Sequence, residues 1–237
     1  MDIDFVREAE LDSMIALMSE AFEMDYTAAR RVFLADPYLD FQNKRVLRVE
    51  GRVVSCLSLI PTECWIGEAQ VSFAGIAGVA TRPKERRKGY AGLLLADGVR
   101  LLQERGFAVA GLIPYDIAFY RKFGWEVGST TYQLRTLPNH LPLFPERRAV
   151  RMASAADTPA LDALYTTFAQ NRTLHCPRNE TRWRYLLAMV KQSVVYANTS
   201  GEVEGYLFYE HILHTVTTCV KSKVWNLRVS NLSSSSL

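Results

Sequence analysis

Apolar positions along the chain alternate between two periods, and each change of period marks an element. Phe5 to Glu8 reads as a short strand. Met14, Leu17, Met18, Ala21 and Phe22 then recur at the spacing of one helical face, with Asp12 as the expected N-cap. Thr27 is placed to cap a second short helix that stops before Pro37. From Arg45 to Pro61 the pattern predicts a hairpin: Val46-Leu47-Arg48-Val49, a turn at Glu50-Gly51, then Val53 to Ile60. Glu63 to Ile66 and Val71 to Thr81 predict another pair, turning near Gly67-Glu68. Gly89 to Arg105 returns to the helical period, with Leu94, Leu95, Val99 and Leu102 on its buried face and Gly106 as its C-terminal cap. Phe107 to Ile113 is a nearly unbroken apolar run, as expected of a central strand covered on both faces.

Three prolines between Pro138 and Pro145 predict a linker, after which the pattern restarts. Val150-Arg151-Met152-Ala153, Asp157 and the stripe Leu161, Leu164, Tyr165 and Phe168 echo Val6-Arg7-Glu8-Ala9, Asp12 and Met14 to Phe22. Thr158-Pro159 is a good helix start, and Trp183, Leu186, Leu187 and Val190 form a further stripe. Val194 to Ala197 and Val203 to Tyr209, joined through Ser200-Gly201, repeat the hairpin. The expectation is an α/β fold with an α+β mixed sheet at 1–137, a linker at 138–148, and an incomplete second copy at 149–237. Ser233 to Ser236 reads as a flexible tail.

Composition narrows the picture only slightly. The 237 residues are 49% hydrophobic and 22% charged, enough apolar material for a core. A net charge of +3 gives no argument for nucleic acid. The acidic start Met1-Asp2-Ile3-Asp4 is unlike a secretory signal, and no apolar run approaches membrane-spanning length. Cys56, Cys64, Cys176 and Cys219 show no paired spacing, which predicts reduced thiols and a cytoplasmic protein. His211 and His214 with Cys219 fit no strong ligand pattern, so no metal is expected.

The chemistry concentrates between Ala74 and Gly106, a strand, a basic glycine-containing loop and a long helix. A strand that enters a helix through a glycine turn leaves backbone N–H groups unpaired at the positive end of the helix dipole. Such amides bind phosphate oxygens. Arg86-Arg87-Lys88-Gly89-Tyr90-Ala91 supplies what a pyrophosphate needs. Gly89 permits close approach, Ala91 and Gly92 are small, and Arg87 and Lys88 add charge.

This segment resembles the Arg/Gln-x-x-Gly-x-Gly/Ala pattern with which GNAT acyltransferases hold coenzyme A. Phe119-Tyr120-Arg121-Lys122-Phe123-Gly124-Trp125 is similar to that family's Tyr-x-x-Phe-Gly segment, in the same order along the chain. Within the family the duplication and this wording look most like the Eis-type (enhanced intracellular survival) acetyltransferases, which have two GNAT-like domains and a sterol-carrier-like third. The likeness covers residues 1 to about 135 well and 145 to about 212 weakly. After about His214 no second glycine loop or third domain is recognisable, so the chain reads as a truncated or shorter relative.

The resemblance implies a GNAT fold, tandem with a partial second GNAT-like domain. It implies acetyl-CoA as cosubstrate and a primary amine, of the aminoglycoside, polyamine or lysine type, as acceptor. Val79, Ala80 and Thr81 would bond the pantetheine arm and offer an oxyanion donor. Arg87, Lys88, Gly89, Tyr90, Ala91 and Gly92 would hold the diphosphate. Tyr120 matches the tyrosine that protonates the departing thiolate. The Eis-type proteins assemble, which implies a homo-oligomer, and their general base lies in the third domain. Glu23, Asp25 and Asp116 are the acids available here, each more readily a solvated surface group. Phe22, Tyr26, Phe33, Tyr38 and Trp65 are candidate pocket walls, though aromatics at these spacings more often build core. The alternative function is a catalytically silent acyl-CoA-binding or assembly protein.

Overall fold

The computed structural model describes residues 1–36, 39–130, 134–140, 143, 145–189, 192–212, 215–218 and 225–229. In chain order its elements are β1 (Asp2–Phe5), α1 (Leu11–Ala21), α2 (Tyr26–Leu34), β2 (Lys44–Val49), β3 (Arg52–Ile66), β4 (Ala69–Thr81), α3 (Tyr90–Glu104), β5 (Val109–Leu112), α4 (Ile117–Arg121) and β6 (Glu126–Ser129). They continue with β7 (Leu134–Thr136), β8 (Val150–Met152), α5 (Thr158–Ala169), α6 (Glu180–Met189), β9 (Gln192–Ala197), β10 (Val203–Ile212), β11 (Thr215–Thr218) and β12 (Trp225–Val229). Two compact units result. Residues 1–64 and 70–128 with β12 form the first, and 65–69 with the stretch from 129 to 223 the second. The units therefore do not follow the linear division expected, because β12 joins the first sheet. Tyr38, Val190, His214, Cys219 and Ser233 to Ser236 lie outside the described residues.

The first unit is a seven-stranded mixed sheet in the order β1-β2-β3-β4-β5-β12-β6. β1, β2 and β3 pair antiparallel, β4 and β5 parallel, and β12 antiparallel to β5. Successive strand residues face opposite sides, so the apolar runs feed two cores. Val46, Val53 and Cys56 pack with Met14, Ile15, Leu17, Ala29 and Phe33 under α1 and α2. Their neighbours Leu47, Val54 and Leu57 pack with Leu94, Leu95, Val99 and Leu102 under α3. Runs such as Val53-Val54 are apolar at every position because both faces are covered.

Several boundaries differ from expectation, each through local hydrogen bonding. β1 ends at Phe5, since Glu8 to Glu10 form a single 3-10 turn in which the Glu10 carboxylate accepts from the Arg7 N–H at 2.9 Å. Asp12 does not cap α1. It lies in the first turn and accepts from the Tyr26 hydroxyl at 3.0 Å. Asp25, not Thr27, caps α2, accepting from the Ala28 N–H at 2.9 Å. β3 runs unbroken to Ile66, where two strands were expected. The Glu50-Gly51 turn stands as expected, with φ of 51° and 74°, the two left-handed residues of a tight hairpin.

The second unit is a five-stranded sheet in the order β7-β11-β10-β9-β8. α5 and α6 supply Leu161, Tyr165, Ala169 and Trp183, which pack with Val195. The echo between the halves is visible at the first helix of each. A 3-10 turn precedes both α1 and α5, and its last residue is an acid whose carboxylate accepts the N–H of the residue before the turn: Glu10 from Arg7 at 2.9 Å and Asp157 from Ser154 at 2.8 Å. Each acid grips an arginine: Glu10 holds Arg48 at 2.6 Å and Asp157 holds Arg151 at 2.6 Å. Glu10, rather than Asp12, is thus the counterpart of Asp157.

Candidate active site

The parallel ladder between β4 and β5 starts at Phe73↔Val109 and stops at Ile76↔Leu112. β4 continues to Thr81, past Gly78, whose φ of 60° marks a break in regular strand geometry. Val79, Ala80 and Thr81 all lie on this extension, beyond the end of β5. Their other edge stays tied to β3: the Ser55 hydroxyl donates to the Ala80 carbonyl at 2.8 Å, and the Arg82 N–H donates to the Val54 carbonyl at 2.9 Å. Val79 packs towards the α3 core, and Ala80 belongs to the α1 core. The result is a strand end fixed to β3 on one side that extends beyond the end of β5 on the other.

The chain then turns into α3 through two left-handed residues, Arg87 at φ 66° and Gly89 at φ 84°. Left-handed backbone is uncommon for a residue with a side chain and costs energy, so Arg87 is held there by its surroundings. The Arg86 guanidinium donates to the Thr81 carbonyl at 3.3 Å and ties the loop to the strand end. Gly89 is the N-cap, and no side chain caps the helix. The Leu93 N–H bonds the Gly89 carbonyl at 3.1 Å, so the amides of Tyr90, Ala91 and Gly92 precede that first helical bond. A Cβ at Gly89 would meet nothing within 4 Å, so the space before the helix is open. Lys88 is less available than its position implied, since its ammonium pairs with Glu85 at 2.7 Å. Tyr90 packs against the core, which leaves its backbone amide as the group facing the loop.

Gly92 has a packing reason to be glycine besides its place in the first turn of α3. It is buried, and a Cβ there would fall 2.6 Å from Phe123 Cζ and closer still to Cε1. The loop-helix segment and the Phe119 to Trp125 segment are therefore fitted to each other at this contact. Gly92→Ala is expected to destabilise the protein by about 1–3 kcal/mol through overpacking. A denaturant midpoint unchanged from wild type would show that Phe123 moves aside at no cost.

Asp116 caps α4, accepting from the Ala118 N–H at 2.8 Å, and so sets the pitch of Tyr120. The Tyr120 ring is 3% exposed and shares the α3 core with Ile76, Leu94 and Leu112, with Val79, Tyr90 and Phe123 packed against the same cluster. Phe119 and Tyr115 meet it edge-on, at centroid distances of 5.1 and 5.8 Å. Burial first, and then Tyr115, push the Tyr120 hydroxyl up to about 12, so it is a neutral donor at any working pH. Among the described residues that hydroxyl has no hydrogen-bond partner.

A model of the acetyltransferase (GNAT) domain matches residues 2–128, from β1 into β6, and takes in every residue of this site. The chain belongs to the GNAT acetyltransferase family. The GNAT fold is also that of its solved neighbours. A GCN5-related N-acetyltransferase from Anabaena variabilis superposes with a TM-score of 0.79 at 17% identity, over 96% of this chain and 72% of its own. One from Kribbella flavida gives 0.78 at 18%, over 96% and 70%. Eis1 from Mycobacterium abscessus gives 0.66 at 20%, over 88% of this chain and 53% of its own. No curated protein matches the chain by sequence. As a GNAT enzyme the chain is an acyltransferase whose acyl donor is acetyl-CoA.

The remaining residues singled out from the sequence are dispersed within this GNAT frame. Asp25 and Asp116 spend their carboxylates on helix caps, and Glu23 is exposed at a left-handed turn with φ 53°. Phe33 is buried under α2, whereas Phe22 and Tyr26 are exposed. Trp65 packs against the core of the second unit. Among the described residues no group of His, Cys, Asp and Glu could hold a metal, and no helix is long and apolar enough to cross a membrane. Sequence reasoning missed Tyr115, which is 77% exposed yet packed on both Phe119 and Tyr120 and within the field of Arg86. Its signal was an aromatic between a proline and a helix-capping aspartate, at the open end of β5.

Proposed function

We propose that the chain transfers the acetyl group of acetyl-CoA to a primary amine, of the aminoglycoside, polyamine or lysine type. The reading rests on one observation above all: β4 runs on from Ile76 past the end of β5, into a helix start whose amides no side chain caps. Pantetheine would lie along Val79 to Thr81 and complete the open strand edge. The diphosphate would sit on the amides of Gly89, Tyr90, Ala91 and Gly92, with Arg87 and Lys88 as charges. An amide of Val79 to Thr81 would donate to the oxyanion as the amine attacks the thioester carbon. The nitrogen sheds a proton, the C–S bond breaks with the Tyr120 hydroxyl hydrogen-bonded to the leaving sulfur, and the thiolate takes up one proton in exchange, so that Tyr120 ends protonated. The amine must arrive neutral, since alkyl amines have pKa values of about 10.4.

We further propose that the chain is of the Eis type and acts in the cytoplasm as a homo-oligomer. The likeness to Eis1 and the second unit with its matching acidic turn before α5 support the first; the free thiols Cys56 and Cys176 support the second. Residues 1–137 would hold the catalytic machinery and 149–237 the partial second copy, apart from β12, which completes the first sheet.

The test is thiol release from acetyl-CoA across a panel of amines. Arg87→Ala should raise the KM for acetyl-CoA by about tenfold, the loss of one charge-assisted phosphate contact, with kcat little changed. Coenzyme A that neither binds nor shifts the melting temperature would remove the basis of the proposal.

A further inference from the structure

β3 carries a hydroxyl where its neighbours are apolar. In Val53-Val54-Ser55-Cys56-Leu57 the Ser55 side chain is fully buried, at 0% exposure. A hydroxyl taken out of water costs stability unless it is bonded. Ser55 makes two bonds, both to the end of β4: one with the Ala80 carbonyl and one with the Thr81 hydroxyl, each at 2.8 Å. A serine hydroxyl has a single proton to give. A carbonyl can only accept, so that proton goes to Ala80, and the Thr81 hydroxyl is the donor in the other bond. Thr81 Oγ1 thus donates to Ser55 Oγ, which donates to the Ala80 oxygen. One peptide unit is gripped twice, by its carbonyl and by the side chain that follows it.

The direction of that peptide decides what it can do. A trans peptide is planar, with its C=O and N–H pointing opposite ways. The Ala80 carbonyl is turned to β3, so the Thr81 N–H of the same peptide is turned away from β3. It faces the edge left open where the ladder to β5 stops at Ile76↔Leu112. The next peptide obeys the same geometry in reverse. The Arg82 N–H bonds the Val54 carbonyl at 2.9 Å, and the Thr81 carbonyl faces the other way, where the Arg86 guanidinium meets it at 3.3 Å. Arg82 also donates through Nε to the Val53 carbonyl at 2.9 Å. The peptide that leads into the basic loop therefore has anchors of its own, separate from Ser55.

We propose that Ser55 is a positioning residue for the acyl donor, aiming the Thr81 N–H at a carbonyl oxygen of the pantetheine arm. The inference rests on the acyl-donor seat proposed above, in which the arm runs along β4 from the diphosphate; Thr81 is the first residue of the strand that it meets. The Thr81 hydroxyl is engaged by Ser55, so the arm meets Thr81 through its backbone. Ser55 itself is buried out of reach of the donor and acts through the Ala80–Thr81 peptide. A peptide freed from Ser55 samples directions in which its N–H cannot donate, and the loss falls on the arm and not on the diphosphate.

The test is calorimetric titration of the full chain with coenzyme A and with ADP, which keeps the diphosphate and lacks the arm. Ser55→Ala is expected to weaken coenzyme A by about fivefold, the contribution of one neutral hydrogen bond, and to leave ADP unchanged. The KM for acetyl-CoA should rise by the same factor. A serine that served stability alone would lower the fraction of chains able to bind, with both affinities and KM unchanged, and that result would overturn the proposal. Equal weakening of both ligands would overturn it too, since the damage would then lie in the loop. Should Ser55→Ala not fold, Thr81→Val removes one tie and keeps the amide; coenzyme A should weaken by about twofold with ADP unchanged, and no weakening would count against Ser55. The double variant should bind coenzyme A no more weakly than Ser55→Ala, which already breaks both bonds. Wild type that does not bind coenzyme A would remove the acyl-donor seat itself, whereas wild-type binding matched by Ser55→Ala would remove Ser55 alone.

Discussion

Tyr120→Phe is expected to lower kcat by about a hundredfold while leaving acetyl-CoA affinity within a factor of about two. The size follows from the environment of the hydroxyl. Burial, and then Tyr115, hold its pKa at about 12. A thiol leaving group has a pKa of about 8.5, so complete proton transfer from tyrosine to a free thiolate runs uphill by about 5 kcal/mol. The hydroxyl therefore acts chiefly as a hydrogen bond that strengthens as the sulfur gains charge, and its contribution falls at the low end for acid catalysis. The sign of the pH dependence is fixed by the same shift. A raised pKa keeps the donor protonated until the pH nears 12, so the neutral acid is present across the assay range. The rate should climb as the amine loses its proton, with no alkaline limb from Tyr120, and Tyr120→Phe should show the same profile at lower amplitude. Measured kcat within a factor of two of wild type would remove Tyr120 from the reaction.

The same segment shows how far the sequence could be read. The α3 helix, its Gly106 stop and the hairpin at Glu50-Gly51 were legible because period and turn chemistry are local. The basic loop was legible as chemistry because glycine and arginine at a helix start have few other uses. The reason for Gly92 was not, since it depends on Phe123, which folding alone brings against it. Lys88 looked free because its partner Glu85 sits in a 3-10 turn that no period announces. The caps at Asp12 and Thr27 were misplaced by two residues each: α1 starts after Glu10 with no side-chain cap, and the Asp25 carboxylate, just before α2, takes the Ala28 amide. β12 was beyond reach: a strand that inserts beside β5 from the far end of the chain leaves no local trace of its destination. Arg48 likewise read as a polar strand residue, and its burial emerges only with the acids that surround it.

Glu10→Gln is expected to destabilise the protein by about 3 kcal/mol, measured as a fall in denaturant midpoint at neutral pH. Arg48 lies on β2 with its side chain 4% exposed, and Glu10 meets it with both oxygens, at 2.6 Å from Nε and 2.6 Å from Nη2. Removing the carboxylate leaves a buried guanidinium with the Phe5 carbonyl at 2.8 Å and the exposed Asp2 at 3.1 Å. Those contacts place the cost at the lower end for a broken buried pair. The bond to Arg48 is the main reason the Glu10 carboxyl titrates at about 2 rather than near 4.5. A depressed folded pKa means the stabilisation is complete above 4.5 and is lost as the pH falls from there to about 2. Wild type should therefore lose stability steeply across that window, and Glu10→Gln less so. Residual acid sensitivity of the variant is expected from Asp157, whose carboxyl Arg151 and Ser154 hold below the usual carboxylate range, and from Glu85 and Glu126, lowered by Lys88 and Arg121. Being buried, the Glu10 contribution should survive high salt, which distinguishes it from the exposed pair of Arg184 and Glu180. Equal acid sensitivity in wild type and Glu10→Gln would mean that the Arg48 charge is compensated from elsewhere.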